Sequence, residues 1–345
     1  MVAFRRCFNT EAYLTAQAKE ILLRMKSVPR GGLTYIEFGG KTYDDQHAAR
    51  VLPGYDPQAK IDLLLRLAQN FEIIVAVSAR DILKPRIRGD SQLFYDMETI
   101  RVVKELRAAG LTVTRGIVTM CRQDYGLQEK SRLAFFHAMA KKELGMNFDY
   151  HGYIPNYPSP SIFKNASVFA ACPKLKVDRH NVLVLSPGGG GKFSVCLSQL
   201  FHDFAAGYNS LYLKFETFPV FQLPPHHALN VAFAAATADL GNVLLPESLG
   251  GLTTYDKDLE NFRLLKILLQ RFCPDLKANP MSAYQYPSDM GVNRLVEGFM
   301  DEQGIREAAT QEIQRRILRY KREIKEGVEY PRTLAHLNSL LSPQA

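Results

Sequence analysis

Apolar, β-branched runs alternate with amphipathic stretches along the first two thirds of this chain, and that rhythm limits the fold more than any other feature. LTYIEFGG (33–40), EIIVAVSA (72–79), LTVTRGIVTM (111–120), a run at 181–186 and another at 210–215 read as strands. AKIDLLLRLAQN (59–70), METIRVVKELRAAG (97–110), KSRLAFFHAMAKKELG (130–145) and a segment at about 192–206 carry helical spacing between them. Strands without polar alternation are buried on both faces, and strand–helix–strand units pair in parallel. The expectation is an α/β fold: a mostly parallel sheet with helices on both faces, Rossmann-like or P-loop-like, then a mainly helical C-terminal region.

An amphipathic helix at 11–25 precedes the rhythm, with Leu14, Ala18, Ile21, Leu22 and Met25 on one face and Thr10 placed to cap it. GYIPNYPSPS at 152–161 is the best place for a subdomain boundary. The expected divisions are therefore 1–150 (Rossmann-like), 151–225 (continuation of the sheet) and 226–345 (mainly helical). The last strong helix carries Ile305, Ala309, Ile313, Ile317, Tyr320 and Ile324 on one stripe, and its charges read as a solvated face rather than a nucleic-acid surface.

Lys and Arg number 43 against 35 Asp and Glu, so the formal charge is +8. That balance suits an anionic small molecule. There is no arginine-rich arm or aromatic-interleaved basic module, so no specific nucleic-acid partner is expected. The five cysteines are scattered and form no CxxC pair, which reads as a reduced, cytoplasmic chain without a zinc knuckle. No apolar run is long enough for a membrane span, and no apolar segment follows the two arginines at the start.

The segment VLVLSPGGGGKFS (182–194) carries the clearest chemistry. A strand turning through glycines into a helix makes a concavity of backbone N–H groups, to which the helix N-terminus adds positive charge. Gly188, Gly189, Gly190 and Gly191 are expected to cradle a phosphate, and Lys192 to supply a cation. The P-loop pattern G-x-x-x-x-G-K-[S/T] is incomplete: Ser186 stands where its first glycine belongs and Phe193 where its magnesium-binding hydroxyl belongs. Ser194 comes one residue late, turned by about 100° around the helix. The anion-binding half of the motif is present and the magnesium half is not. The alternative is a bare glycine-rich turn.

Two further stretches are candidates because ligands of open α/β sheets lie at the carboxyl ends of strands. KFETFPVFQLPPHH offers Glu216, His226 and His227 as acid/base or metal groups, the first histidine also as a helix cap. Glu216 pairing with Lys214 is the structural alternative. FGGKTYDDQHAAR and SARDILKPRIRGD offer Lys41, Asp44, His47, Arg50, Arg86, Arg88 and Asp90 for an anionic substrate. HExxH and G-x-S-x-G are both absent, which disfavours a zincin-type protease and a serine hydrolase.

YIEFGGK, DQHAARVLPGYDPQAKI, YDMETIR, GKFSVCLSQLFHD, YLKFETFPVFQLPPHHALNVAFAAATADL and PSDMGVNR, in that order, resemble a family of mainly bacterial proteins known only as a domain of unknown function. The resemblance covers residues 8 to about 322. Some members bear the label ATP-dependent zinc protease, which is not carried over because HExxH is missing. The resemblance implies that Gly-Lys followed by an apolar residue is a family trait, and that members continue into a further C-terminal domain that this chain lacks.

The expectation is a phosphate- or nucleotide-binding α/β enzyme of unknown reaction. The alternatives are a non-catalytic ligand-sensing or partner-binding protein, and a metal hydrolase using Asp44, His47, Glu216 and His227.

Overall fold

The computed structural model describes residues 5–39, 43–68, 71–83, 93–164, 166–177, 179–215, 218–236, 254–327 and 331–341. The chain opens with α1 (Thr10–Lys26), β1 (Thr34–Phe38), α2 (Gln46–Val51), α3 (Ala59–Leu67) and β2 (Glu72–Ser78). It continues through α4 (Ala79–Leu83), α5 (Tyr95–Ala108), β3 (Val113–Cys121), α6 (Leu127–Leu144) and β4 (Phe148–Gly152). Two 3₁₀ segments lead to β5 (Asn181–Leu185), α7 (Lys192–Ala205), β6 (Leu211–Phe215) and α8 (Ala228–Ala236). The last part holds α9 (Thr254–Phe272), α10 (Pro287–Met290), β7 (Gly291–Val292), α11 (Glu302–Lys325) and α12 (Pro331–Leu341).

The strands form one seven-stranded sheet in the order β4-β3-β2-β5-β1-β6-β7, and every pairing is parallel. Side chains alternate across it as the pleat requires. Ile36, Phe38, Ile73, Val75, Val77, Leu183, Leu185, Leu213 and Phe215 face one core with α1, α2, α3, α5, α6, α8 and α11. Tyr35, Ile74, Ala76, Val182, Val184 and Tyr212 face a second core with α7 and α9. Burial on both faces is why β1 and β2 read as largely apolar segments without polar alternation. β5 and β6, which follow the proline-rich 152–161 stretch in sequence, flank β1 within the same sheet. Among the described residues no helix is long and apolar enough to cross a membrane.

Two strands lie outside the sequence expectation. β4 (FDYHG) is an edge strand with an exposed, polar side, and β7 has two residues, so neither has an apolar run to betray it. The cap of α1 also differs: Asn9 Oδ1 accepts the Ala12 amide at 3.2 Å, while Thr10 donates to Gly54 O at 3.0 Å.

Candidate functional site

β5 lies between β1 and β2, yet its exit goes the other way. The connections after β1 and β2 pack their helices α2, α3, α4 and α5 into the first core. The connection after β5 packs α7 into the second. Adjacent strands whose continuations leave to opposite faces open a crevice at their carboxyl ends, the usual ligand position in such sheets. The segment Ser186–Gly191 lies at that switch point.

The loop holds its own shape. Ser186 Oγ accepts the amides of Gly188 and Gly190 at 3.1 Å each and donates to Gly188 O at 2.7 Å. Thr119, at the end of β3, donates to Gly190 O at 2.9 Å. A Cβ on Gly188 would stand 2.4 Å from the Tyr95 ring, and one on Gly190 2.3 Å from Ser186 Oγ and 2.8 Å from Ala76 O. Gly191 has φ +72° and caps α7. Packing therefore accounts for these glycines, and Ser186 fills part of the concavity an anion was expected to fill. What stays open is the first turn of α7, whose N–H groups have no acceptor within the helix. Among the described residues no backbone carbonyl takes the amides of Lys192 and Phe193.

The positions after the lysine complete the picture. Phe193 is buried, its ring 5.3 Å from that of Tyr212 in a T-shaped contact. Ser194 Oγ donates back to Gly191 O at 2.7 Å, so it is turned away from the place of a magnesium ligand.

Lys192 is half-buried, and among the described residues its ammonium makes no hydrogen bond or ion pair. Burial pushes it down from the ordinary lysine range, against the pull of Glu37. Around it lies a buried polar group on the second face of the sheet. Glu37 in β1 and Lys214 in β6 are register partners. Tyr212 Oη donates to Glu37 Oε2 at 2.7 Å. Lys214 pairs with Asp258 Oδ1 of α9, and Asp258 Oδ2 is buried without a hydrogen-bond partner among the described residues. Tyr157 donates to Asn261 Oδ1 at 2.8 Å, one turn along α9 from Asp258. The same charges, Glu37, Lys214 and Asp258, act on Lys192. Cys196, one helical turn beyond Lys192, has its thiol pushed well up by burial and is inert.

The sequence candidates fall in three places. Lys41, Arg86, Arg88, Asp90 and Glu216 lie outside the described residues. Asp44 is exposed, in a left-handed conformation at φ 49°, and accepts from Gln46 Nε2 at 2.5 Å. His47 and Arg50 are not at the loop but on the other side of the sheet, bound to Glu312 of α11: His47 Nδ1 at 3.3 Å and Arg50 Nε at 3.0 Å. His226 is exposed. His227, not His226, caps α8, its Nδ1 accepting the Leu229 amide at 3.1 Å, with Nε2 3.5 Å from Glu302 Oε1. Glu302 and Glu312 are ten residues apart on α11, about 15 Å along the axis, so His47 and His227 do not converge on one ion. Lys214 pairs with Asp258, and its pairing with Glu216 falls outside the described residues.

Sequence reasoning missed Glu37, Asp258, Tyr157 and Tyr212. Glu37 had a signal: a carboxylate within a strand whose neighbours are apolar or aromatic and which is buried along its length. Asp258 had none. A second buried pair places Cys172 Sγ 3.6 Å from His151 Nδ1. Burial pushes the imidazole down to about 4 and the thiol up to about 12, so both are neutral.

The model of a domain of unknown function, DUF1846 (N-terminal), matches residues 6–344. A UPF0371 protein of Corynebacterium urealyticum is 38% identical over 317 residues, 90% of this chain and 61% of that protein. UPF0371 proteins of Fusobacterium nucleatum and Clostridium tetani are 37% and 36% identical over 328 residues each, covering 93% of this chain and 62% of theirs. The chain thus spans about three fifths of the length of the curated relatives it matches.

Proposed function

Since the chain belongs to the DUF1846 family, a domain of unknown function, its role has to be read from its own residues, and we propose that it binds a phosphorylated small molecule, of nucleotide or sugar-phosphate type, at the first turn of α7. One observation carries the reading: Lys192, a half-buried ammonium without a partner among the described residues, beside the open amides of a helix N-terminus at the sheet's switch point. A phosphate oxygen accepts from those amides and neutralises the lysine. Asp258 Oδ2, buried and without a hydrogen-bond partner among the described residues, accepts from a hydroxyl or amino group on the same ligand. Binding proceeds without magnesium at the lysine-adjacent position, because Phe193 offers no oxygen there.

Calorimetric titration with ATP, GTP, sugar phosphates and nucleotide sugars, on wild type and Lys192→Ala, tests this. A ligand whose affinity falls about tenfold or more in the variant supports it. Equal affinity in both proteins, or no binding by any of these ligands, rejects it. Binding unchanged by EDTA is expected for the wild type. The metal-hydrolase reading gains no support from the placement of His47 and His227.

A further inference from the structure

On the opposite side of the sheet from Lys192, a cavity of about 550 Å³ lies between α2, α11 and the N-terminal segment. Arg5, Arg6, Arg50 and Arg315 line it, with Glu312 as its one acidic wall residue. The rest of the wall is small or apolar: Ala49, Pro53, Gly54 and Ala308, with Gln311.

Glu312 is overcommitted. It is 3% exposed and receives Arg50 Nε at 3.0 Å, Arg315 Nη2 at 2.5 Å, Arg316 Nε at 3.0 Å and His47 Nδ1 at 3.3 Å. Three guanidinium groups thus share one carboxylate. Of the remaining wall cations, Arg5 pairs with Asp301 at 2.7 Å, and Arg6 Nε donates to the Phe8 carbonyl at 3.2 Å. His47 Nε2 is buried without a hydrogen-bond partner among the described residues. Arg315 carries the strain of this crowding: burial and the neighbouring Arg50 and Arg316 push its guanidinium down from its ordinary range, against the pull of Glu312. Two other arginines of α11 have their own carboxylates one turn away, Arg306 with Glu302 and Arg319 with Glu323. Lys321, Arg322 and Lys325 add exposed charge further along α11, outside the cavity wall.

We propose that this cavity is a second anion site, which takes the phosphate or pyrophosphate group of a small phosphorylated molecule. Guanidinium forks match phosphate oxygens two at a time, and a volume of this order holds a ligand of nucleotide size. The ligand's charge balances the two guanidiniums that Glu312 leaves uncompensated.

The test uses inorganic pyrophosphate in calorimetry at low, constant ionic strength, on Lys192→Ala protein so that the loop site is removed. One binding event is expected there. Adding Arg315→Gln should weaken it about tenfold or more, and Arg5→Gln, which leaves the Glu312 shell intact, should weaken it less but measurably. Circular dichroism and thermal melting check that the variants fold. Absence of binding to Lys192→Ala, or unchanged affinity when Arg315→Gln and Arg5→Gln are each added, overturns the proposal and leaves the Lys192 reading standing or falling on its own titration. Arginine-dependent binding of a single-stranded oligoribonucleotide, with none of pyrophosphate, also overturns it.

Discussion

Lys192→Met separates a lysine kept for a ligand from one kept for the fold. Methionine has nearly the same length and no charge. If the ammonium were a structural partner, its removal would destabilise the protein, because a buried carboxylate would lose its counterion. The structure argues the reverse. Burial pushes Lys192 down despite Glu37 and Asp258, so the folded state bears a net cost for holding this charge. A polar group buried without compensation costs about 1–3 kcal/mol in mutational data. Lys192→Met should recover a sum of that order, raising the melting temperature by about 1–2 °C per kcal/mol for a chain of this size. The pH dependence has a definite sign. A lysine with a depressed folded pKa binds fewer protons in the native state than in the unfolded one, between the two pKa values. Wild-type stability therefore rises with pH through that window as the native lysine loses its proton, and the penalty disappears above the unfolded value near 10.5. The advantage of Lys192→Met should be largest at neutral pH and shrink toward pH 10.5. Urea titrations of both proteins at a series of pH values measure it. A loss of 1 kcal/mol or more at pH 7, or an advantage that grows with pH, would refute the argument.

Three other outcomes follow from the geometry. Glu312→Gln should cost about 3–5 kcal/mol at pH 7, because three guanidiniums lose their counterion; those three and His47 hold the Glu312 carboxyl well below its usual range despite burial, so this stability is present above about pH 4.5 and lost as pH falls toward the folded value, and urea titrations at pH 7 and pH 3 should show the gap closing. Ser186→Ala should cost about 1–3 kcal/mol by leaving the Gly188 amide without its acceptor and the Gly190 amide with the Gly188 carbonyl alone, read by the same titrations. Burial holds the Cys121 and Cys172 thiols up at about 12 and raises those of Cys7, Cys196 and Cys273, so iodoacetamide at pH 7.5 should label the native protein slowly and all five cysteines once urea unfolds it, by intact-mass analysis.

The layers of the fold were legible because β1, β2, β5 and β6 are buried on both faces and so are mostly apolar without regular polar alternation. The strand order was not. Nothing in the sequence near Asn181 says that β5 enters between β2 and β1, since that depends on the length and packing of the 3₁₀ segments before it. The site divides in the same way. A glycine run followed by lysine is a local pattern, and it does lie at the switch point. His47 and Arg50 follow a strand end just as plausibly, yet their partner is Glu312, 265 and 262 residues away. Asp258 is the converse: it sits on an ordinary amphipathic helix, and only the tertiary fold brings it to Lys214.

The glycines and the lysine do not carry equal weight as evidence of a ligand. The glycine run drew attention first, but each glycine the structure explains is explained from within: Tyr95 against Gly188, Ser186 and Ala76 against Gly190, a left-handed cap at Gly191. A loop with these contacts would need its glycines with no ligand at all. Lys192 has no such account. Replacing it with an apolar residue of equal length would leave every hydrogen bond of the loop in place and remove a buried charge, so fold stability alone selects against it. That imbalance is what the proposed anion at the first turn of α7 would relieve. The titration of Lys192→Ala therefore weighs more than any change to the glycines, which would disturb packing and binding together.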